Sequence, residues 1–354
     1  MSVDTVTRVD ADALRDLCMR IFASCGMMSP DARLLADTLV EADLGGVHSH
    51  GVLRVPEYVH KLTGGVDPQG RPQVVSDDGA CLVVDGGNSM GQIGAHFAME
   101  RAIERAGELG IAAVAVRGSN HCGAMAYYSA MALPHDMIGM ATTNALPTMA
   151  PWGGAERILG INPVSFAIPA GDELPIIYDA AFAGSSHGKI RIYHQQGRSL
   201  PEGWALDRDG QPTTDAGAAI DGLLQPIGAF KGVGLTLVMG ILSSMLSGAA
   251  YGTELGDMQR GPTAGQDGHF VLALRIGAFE QPERFKARVD KAIREIHACR
   301  RAPGVERMYV PGEREQLTRR DYLRDGIPLN PVELGDLLRV AEERGVDASA
   351  LSGA

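Results

Sequence analysis

Gln225-Pro-Ile-Gly-Ala-Phe-Lys-Gly-Val-Gly-Leu235 decides the fold by what it lacks. A glycine-rich turn that holds one lysine ahead of a long apolar helix can cradle phosphate with its backbone N–H groups. Gly232 and Gly234 have the first spacing of the GxGxxG fingerprint, but position 237 is leucine, and no other stretch of the 354 residues supplies the pattern. A dinucleotide bound by this chain must be held without the standard βαβ turn, so a Rossmann fold is not expected.

Working outward, the stretch 232–250 carries Ser243, Ser244 and Ser247 and alternates large with small residues, which suits a buried helix better than a membrane span. Short β-rich segments stand at 81–85, 111–117, 137–143, 164–169, 175–179 and 269–274. An alanine-rich helical stretch at 94–110 separates the first two, and glycine- and proline-rich loops such as 144–160 separate later ones. Strands divided variously by helices and long loops predict an α+β fold around a mixed sheet. At the N-terminal end, Leu14, Leu17, Cys18, Ile21 and Phe22 recur at helical spacing up to Gly26. Ser29-Pro30 reads as the cap and first residue of a second helix, and a third is expected from Gly51 to Gly64-Gly65. Helical spacing returns at 282–299, and Asn330-Pro-Val-Glu333 has the form of a capping box. The expected organisation is a helical domain built from 1–75 and 305–354 around a central α/β domain, 76–304.

With 45% hydrophobic and 21% charged residues the chain has material for a large core. A net charge of -11 and a pI near 5.4 argue against nucleic acid as partner. The start MSVDTVTRVDADALRD carries acids where a secretory signal carries bases and an apolar run, so a cytoplasmic enzyme is expected. Five scattered cysteines without a CxxC pair fit reduced thiols and offer no zinc site.

Three polar clusters carry chemistry. In Glu41-Ala-Asp-Leu-Gly-Gly-Val-His-Ser-His-Gly-Val-Leu-Arg54, His50 and Arg54 fall one helical turn apart. An imidazole moves a proton near neutral pH, and a guanidinium matches a carboxylate bidentately. Two readings stand: proton transfer and acid anchoring on a 2-oxo acid, or loop histidines capping a helix with Arg54 paired to Glu57 or Asp43. The second cluster, Arg117-Gly-Ser-Asn-His-Cys-Gly-Ala-Met125, follows an apolar strand and puts His121 on a tight loop. His48, His50 and His121 could alternatively ligate a metal, but no companion Cys or carboxylate pattern supports it, and no metal is expected. The third cluster is the Lys231 turn.

Taken in order, Ser49-His50-Gly51 with Arg54 and Tyr58, Ser119-Asn120-His121, Ala150-Pro-Trp-Gly-Gly154, Leu159-Gly-Ile-Asn-Pro163, Phe230-Lys-Gly232 and Arg301-Ala-Pro-Gly304 closely resemble the type-2 malate/L-lactate dehydrogenase family. That family includes malate, lactate, sulfolactate and ureidoglycolate dehydrogenases, diketogulonate reductase and cyclic imino acid reductases. The resemblance implies a non-Rossmann, largely antiparallel NAD(P)-binding sheet, a homodimer with active sites near the subunit interface, and oxidoreduction of a small 2-hydroxy or 2-oxo acid with NAD or NADP. It implies His50 as acid/base with Ser49 as relay, His121 as a further catalytic residue, and Arg54 as carboxylate anchor. As cofactor positions it implies His121, Cys122, Gly123, Ala124 and Met125; Asp179, Ala180 and Ala181; Lys231; and Arg301, Gly304 and Arg307.

Two departures stand out. The family commonly has threonine at the position of Ile161, where it can contact substrate, and Ala-Thr-Ser where this chain has Ala181-Phe182-Ala183. A more apolar pocket is expected. Imine reduction of a cyclic 2-carboxylate is the rival activity. Lys189 after His187-Gly188, where imine reductases carry aspartate, favours an anionic hydroxy acid if it faces the site and says nothing if it faces solvent. A nucleotide-binding protein without catalysis is the remaining alternative.

Overall fold

The computed structural model describes residues 6–257 and 261–351; the outermost parts of the expected helical domain, 1–5 and 352–354, lie outside the described residues. Strand β1 (Thr7–Val9) leads into α1 (Ala11–Ser24), α2 (Ser29–Leu44) and α3 (Val55–Thr63). Asp10 caps α1 by accepting from the Asp12 and Ala13 amides. Two expectations shift here. Ser29 already lies inside α2, with Met28 at the cap and Pro30 in the first turn. The third helix starts at Val55, because the chain first makes two 3₁₀ turns, His48–His50 and Val52–Arg54, around a buried carboxylate.

Next come β2 (Gln73–Asp78), β3 (Cys81–Asp85), α4 (Gly91–Leu109), β4 (Ile111–Ser119), α5 (Met125–Ala130), β5 (Met137–Thr143), β6 (Val164–Ile168) and β7 (Ile176–Ala180). Beyond them α6 (His187–Gln195), β8 (Ala205–Leu206), β9 (Pro212–Thr213), α7 (Ala216–Asp221) and β10 (Leu223–Leu224) form a small lobe that leads to α8 (Phe230–Gly240) and a π turn, Ile241–Met245. The hairpin β11 (Gly256–Asp257) and β12 (Gly261–Pro262) precedes β13 (Asp267–Arg275), α9 (Pro282–Ala298), α10 (Glu313–Asp325), β14 (Ile327–Leu329) and α11 (Pro331–Glu343). Asn330 and Glu333 close the capping box of α11 reciprocally.

The main sheet has seven strands in the order β2-β3-β4-β13-β5-β6-β7. Its one parallel pair, β3 with β4, is joined by α4; the other five pairs are antiparallel. This is the mixed, largely antiparallel α+β sheet expected. Alanines 95, 98, 102 and 106 on α4 sit against Val114, Val116, Val271 and Ala273 of the sheet, small residues that let helix and strands approach closely.

A separate apolar cluster draws Leu14, Leu17, Ile21 and Phe22 of α1 and Leu35 and Leu39 of α2 together with Ile327, Leu329, Leu337 and Val340 from the far end of the sequence. Antiparallel pairing of β1 with β14 stitches the two ends. Among the described residues no helix is long and apolar enough to cross a membrane.

Candidate active site

Asp43, 1% exposed at the end of α2, organises the segment that follows. One oxygen lies 2.7 Å from His48 Nδ1, and the other accepts the Val52 amide at 2.7 Å. Position 51 must be glycine here, because a Cβ would fall 2.0 Å from the same carboxylate. The hydrogen bond to Asp43 raises the pKa of His48. With the loop so folded, Ser49 Oγ sits 3.0 Å from His50 Nδ1, and the His50 ring stacks on His121 at 6.1 Å between centroids with 16° between planes. Burial pushes the pKa of His50 down to about 4, helped by Arg54 and opposed by Glu57.

From α3 and the turn before it, Arg54, Glu57, Tyr58 and Lys61 fall on one helical stripe. Arg54 donates through Nε to the Ser49 carbonyl at 2.7 Å and through Nη1 to Glu57 at 2.6 Å, while Lys61 meets the other Glu57 oxygen at 3.0 Å. Of the two partners considered for Arg54, Glu57 is the one engaged. Its Nη2 has no partner among the described residues and remains a donor for a carboxylate. Burial would raise the pKa of Glu57, but Lys61, His121 and Arg54 outweigh it and keep the carboxylate ionised.

Tyr58 is fully buried and links α3 to the His121 loop. Gln92 Nε2 donates to the Tyr58 oxygen at 3.0 Å, which directs the phenol proton to His121 Nδ1, 2.8 Å away. The imidazole proton of His121 is thereby placed on Nε2. Desolvation, with Lys61 and Arg54, drives the pKa of His121 well below its ordinary value. Asn120 anchors the loop from beneath: it donates to the Ser89 carbonyl at 2.8 Å and accepts the Gly265 amide at 3.0 Å.

The other implied residues gather along β7. The Asp179 carboxylate accepts the Ala126 amide at 2.7 Å, tying the end of β7 to the start of α5 and to the 121–125 loop. Past Ala181, the Phe182 carbonyl accepts the Ile227 amide at 3.0 Å, which brings the strand exit against the turn carrying Lys231. That turn enters α8 without a side-chain cap and with Ala229 at φ 59, ψ -128, a conformation costly for any residue but glycine. At the opposite end of β7 the Ile177 amide donates to Pro311, which seats the segment following Arg301, Gly304 and Arg307.

The two departures from the family pattern lie in different apolar clusters. Ile161 packs against the cluster that includes Met149 and Leu159, and Phe182 is 3% exposed in the cluster with Met140, Val164 and Phe270. Lys189 is exposed in the first turn of α6, and the selectivity argument from its charge loses its footing. His48 is turned to Asp43 and away from His50, and among the described residues no group of three His, Cys, Asp or Glu could hold a metal ion.

Sequence reasoning passed over Asp43, Tyr58 and Gln92 as working parts. A signal existed for two of them: Asp43 is an acid on the last apolar turn of α2, and Tyr58 stands four residues after Arg54.

Two stacked histidines with an arginine nearby have the chemical means to move a proton and to hold a carboxylate. Residues 9–338 match the family model described as malate/L-lactate dehydrogenase. The chain belongs to that family. It is 37% identical over 350 residues to malate dehydrogenase of Pyrococcus horikoshii, covering 96% of both chains. It is 33% identical over 340 residues to the Δ1-pyrroline-2-carboxylate/Δ1-piperideine-2-carboxylate reductase of Pseudomonas putida, covering 95% of this chain and 97% of the relative. The solved structure of sulfolactate dehydrogenase from Methanocaldococcus jannaschii superposes with a TM-score of 0.90 at 34% identity, covering 98% of this chain and 99% of that one.

Proposed function

We propose that this chain is an NAD(P)-dependent dehydrogenase that interconverts a small 2-hydroxy acid and its 2-oxo acid. The observation that carries the reading is the juxtaposition of Ser49, His50 and His121 with the uncommitted Nη2 of Arg54. The cofactor positions fit a dinucleotide: the uncapped α8 start, the strained entry at Ala229 and the exposed Lys231 suit an anionic diphosphate. A bound nicotinamide supplies the hydride acceptor or donor.

The chain's own residues do the rest. Arg54 Nη2 holds the substrate carboxylate, and the Nε2–H of His121 donates to the substrate oxygen. His50, neutral at pH 7 with its pKa near 4, takes the hydroxyl proton at Nε2 during oxidation while its Nδ1 proton passes to Ser49, whose own hydroxyl proton moves on to solvent at this exposed position. In reduction Ser49 donates to Nδ1 and is reprotonated from solvent as Nε2 releases its proton, so no free imidazolium is needed.

The catalytic unit we propose is a homodimer in the cytoplasm, with the helical domain at 1–75 and 305–354 and the central domain at 76–304. All five cysteines are free thiols, as in a reducing compartment. Phe230, Leu235, Val238, Met245 and Leu246 leave an apolar stripe on α8 and its π turn 47% to 63% exposed, suited to a second copy across a two-fold axis. The test follows NADH and NADPH absorbance against a panel of 2-oxo acids and cyclic imines, with light scattering on the same preparation. Turnover of a 2-oxo acid by a species of twice 37.4 kDa is expected. A kcat/KM for pyrroline- or piperideine-2-carboxylate about tenfold above that for every 2-oxo acid, equivalent to about 1.4 kcal/mol, would make the chain an imine reductase instead.

A further inference from the structure

Behind the His121 ring lies a chain of polar groups that solvent does not reach. Tyr58 and Gln92 are each 0% exposed. Gln92 stands in the first turn of α4, which is pressed on the 120–123 loop: a Cβ at Gly91 would fall 1.8 Å from the Asn120 carbonyl oxygen, and one at Gly123 would meet Gln92 Nε2 at 3.5 Å. The Gln92 side chain makes one hydrogen bond, from Nε2 to the Tyr58 oxygen, and its Oε1 has no partner among the described residues. Methionine would fill similar space without stranding an oxygen. What the amide adds at this position is a donor aimed at Tyr58.

The direction of the chain follows from what each group can do. Burial, with Glu57, drives the pKa of Tyr58 well above the ordinary phenol value, so the phenol keeps its proton. Its oxygen accepts from Gln92, and its O–H is left to donate to His121 Nδ1. His121 is also denied a second proton, because burial, Lys61 and Arg54 all oppose the imidazolium. A neutral imidazole that accepts at Nδ1 carries its one proton on Nε2, which makes no hydrogen bond among the described residues. His50 differs in its outlet. Its Nδ1 faces the exposed Ser49 hydroxyl, which can accept as well as donate, so a proton can leave or enter on that side. Behind His121 there is no such exit, since Tyr58 is buried and Gln92 occupies its oxygen as a donor.

We propose that Tyr58 and Gln92 are positioning residues that pin the ring proton of His121 to Nε2, so that His121 polarises the substrate oxygen without giving up a proton and His50 alone exchanges one. The inference rests on the dehydrogenase reading, in which the Nε2–H of His121 meets the substrate oxygen. In oxidation that N–H stabilises the charge gathering on the oxygen as His50 takes the hydroxyl proton. In reduction it draws electron density toward the carbonyl oxygen, to which His50 then delivers its proton. The N–H bond of His121 is broken in neither direction.

NMR of the full chain labelled with nitrogen-15 histidine reads the tautomer, His121 being identified by the signals lost in His121→Asn. Nε2 is expected as the protonated nitrogen and Nδ1 as an unprotonated nitrogen that accepts a hydrogen bond. Tyr58→Phe should erase that hydrogen-bond signature and lower kcat roughly 10- to 100-fold, the scale for a misplaced reacting contact, while NADH and NADPH dissociation constants stay unchanged. Gln92→Met should lower kcat by less. A protonated Nδ1 in the native chain would overturn the proposal, as would a Tyr58→Phe variant with a normal unfolding midpoint and undiminished kcat. If Tyr58→Phe does not fold, the native tautomer and the kcat of Gln92→Met decide in the same way. The dehydrogenase reading fails separately: a chain with the expected tautomer that turned over no 2-oxo acid would overturn it, and the polarising role with it.

Discussion

The His50 cradle and the edge around β7 solve opposite problems. In the cradle polar groups answer one another within the chain: Asp43 holds His48 and Val52, Gln92 holds Tyr58, Tyr58 holds His121, and Glu57 holds Arg54 and Lys61. Around β7 the charges are left idle, with the side chains of Lys231 and of Arg300, on the loop between α9 and α10, exposed and unpaired among the described residues. The contrast separates geometry from affinity. A group that must present one nitrogen at one angle needs neighbours that fix it, whereas a group that must grip a phosphate is weakened by any carboxylate that competes for it.

The largest test of this division is His50→Ala. Losing a positioned acid/base should lower kcat by roughly 10²- to 10⁴-fold while dinucleotide affinity is preserved, because the idle cations are untouched. Near-normal turnover in that variant, together with an inactive His121→Ala, would exchange the two histidines' roles. In the native chain kcat/KM for oxidation should fall only as pH drops toward 4, since His50 must be neutral to accept a proton.

Lys231→Met should do the converse. It removes a charge-assisted contact worth about 1.5–3 kcal/mol, so calorimetry should show dinucleotide affinity about 10- to 100-fold weaker with substrate binding little changed. Unchanged nucleotide affinity would dissolve the contrast between the two regions.

The smallest effect concerns Asp267, buried near Lys61 at the start of β13, whose pKa burial raises to about 7. A carboxyl with a raised folded pKa contributes stability that is present below its unfolded value of 3.8 and lost as pH rises through about 7. Asp267→Asn should therefore raise the unfolding midpoint relative to the native chain at pH 8, on the order of a few °C, and hardly at pH 4. A shift equal at both pH values would show that the carboxylate's charge carries no such cost.

What could be read from the sequence follows what burial writes into it. The strands at 111–119 and 267–275 are apolar because they occupy the centre of the sheet, and both were legible. Strand β2 was not, because all six of its residues are exposed at the sheet edge and a register shift between Val74 and Ser76 breaks its alternation. Helix α10 escaped for a related reason: Glu313 is its only buried residue, so no apolar stripe marks it. Among site residues, His50, Arg54 and His121 could be picked out by chemical type. Their supports could not, since the Gln92–Tyr58–His121 chain joins three segments that only the packing of α3 against α4 and the 121 loop brings together.

The pairing of β1 with β14 has a consequence for how the protein is made. Thr7 meets Leu329 across more than 300 residues of intervening chain, and the apolar cluster that supports the His50 segment also needs Leu337 and Val340. Contacts of such sequence separation form late, after the loop-closure entropy of the whole middle has been met. During synthesis α1 to α3 emerge first yet wait for the last strand and helix, while the sheet between them can assemble in the meantime. The histidine we assign to proton transfer is thus translated early and seated last, and a ribosome stalled before residue 327 would release a sheet without that seat.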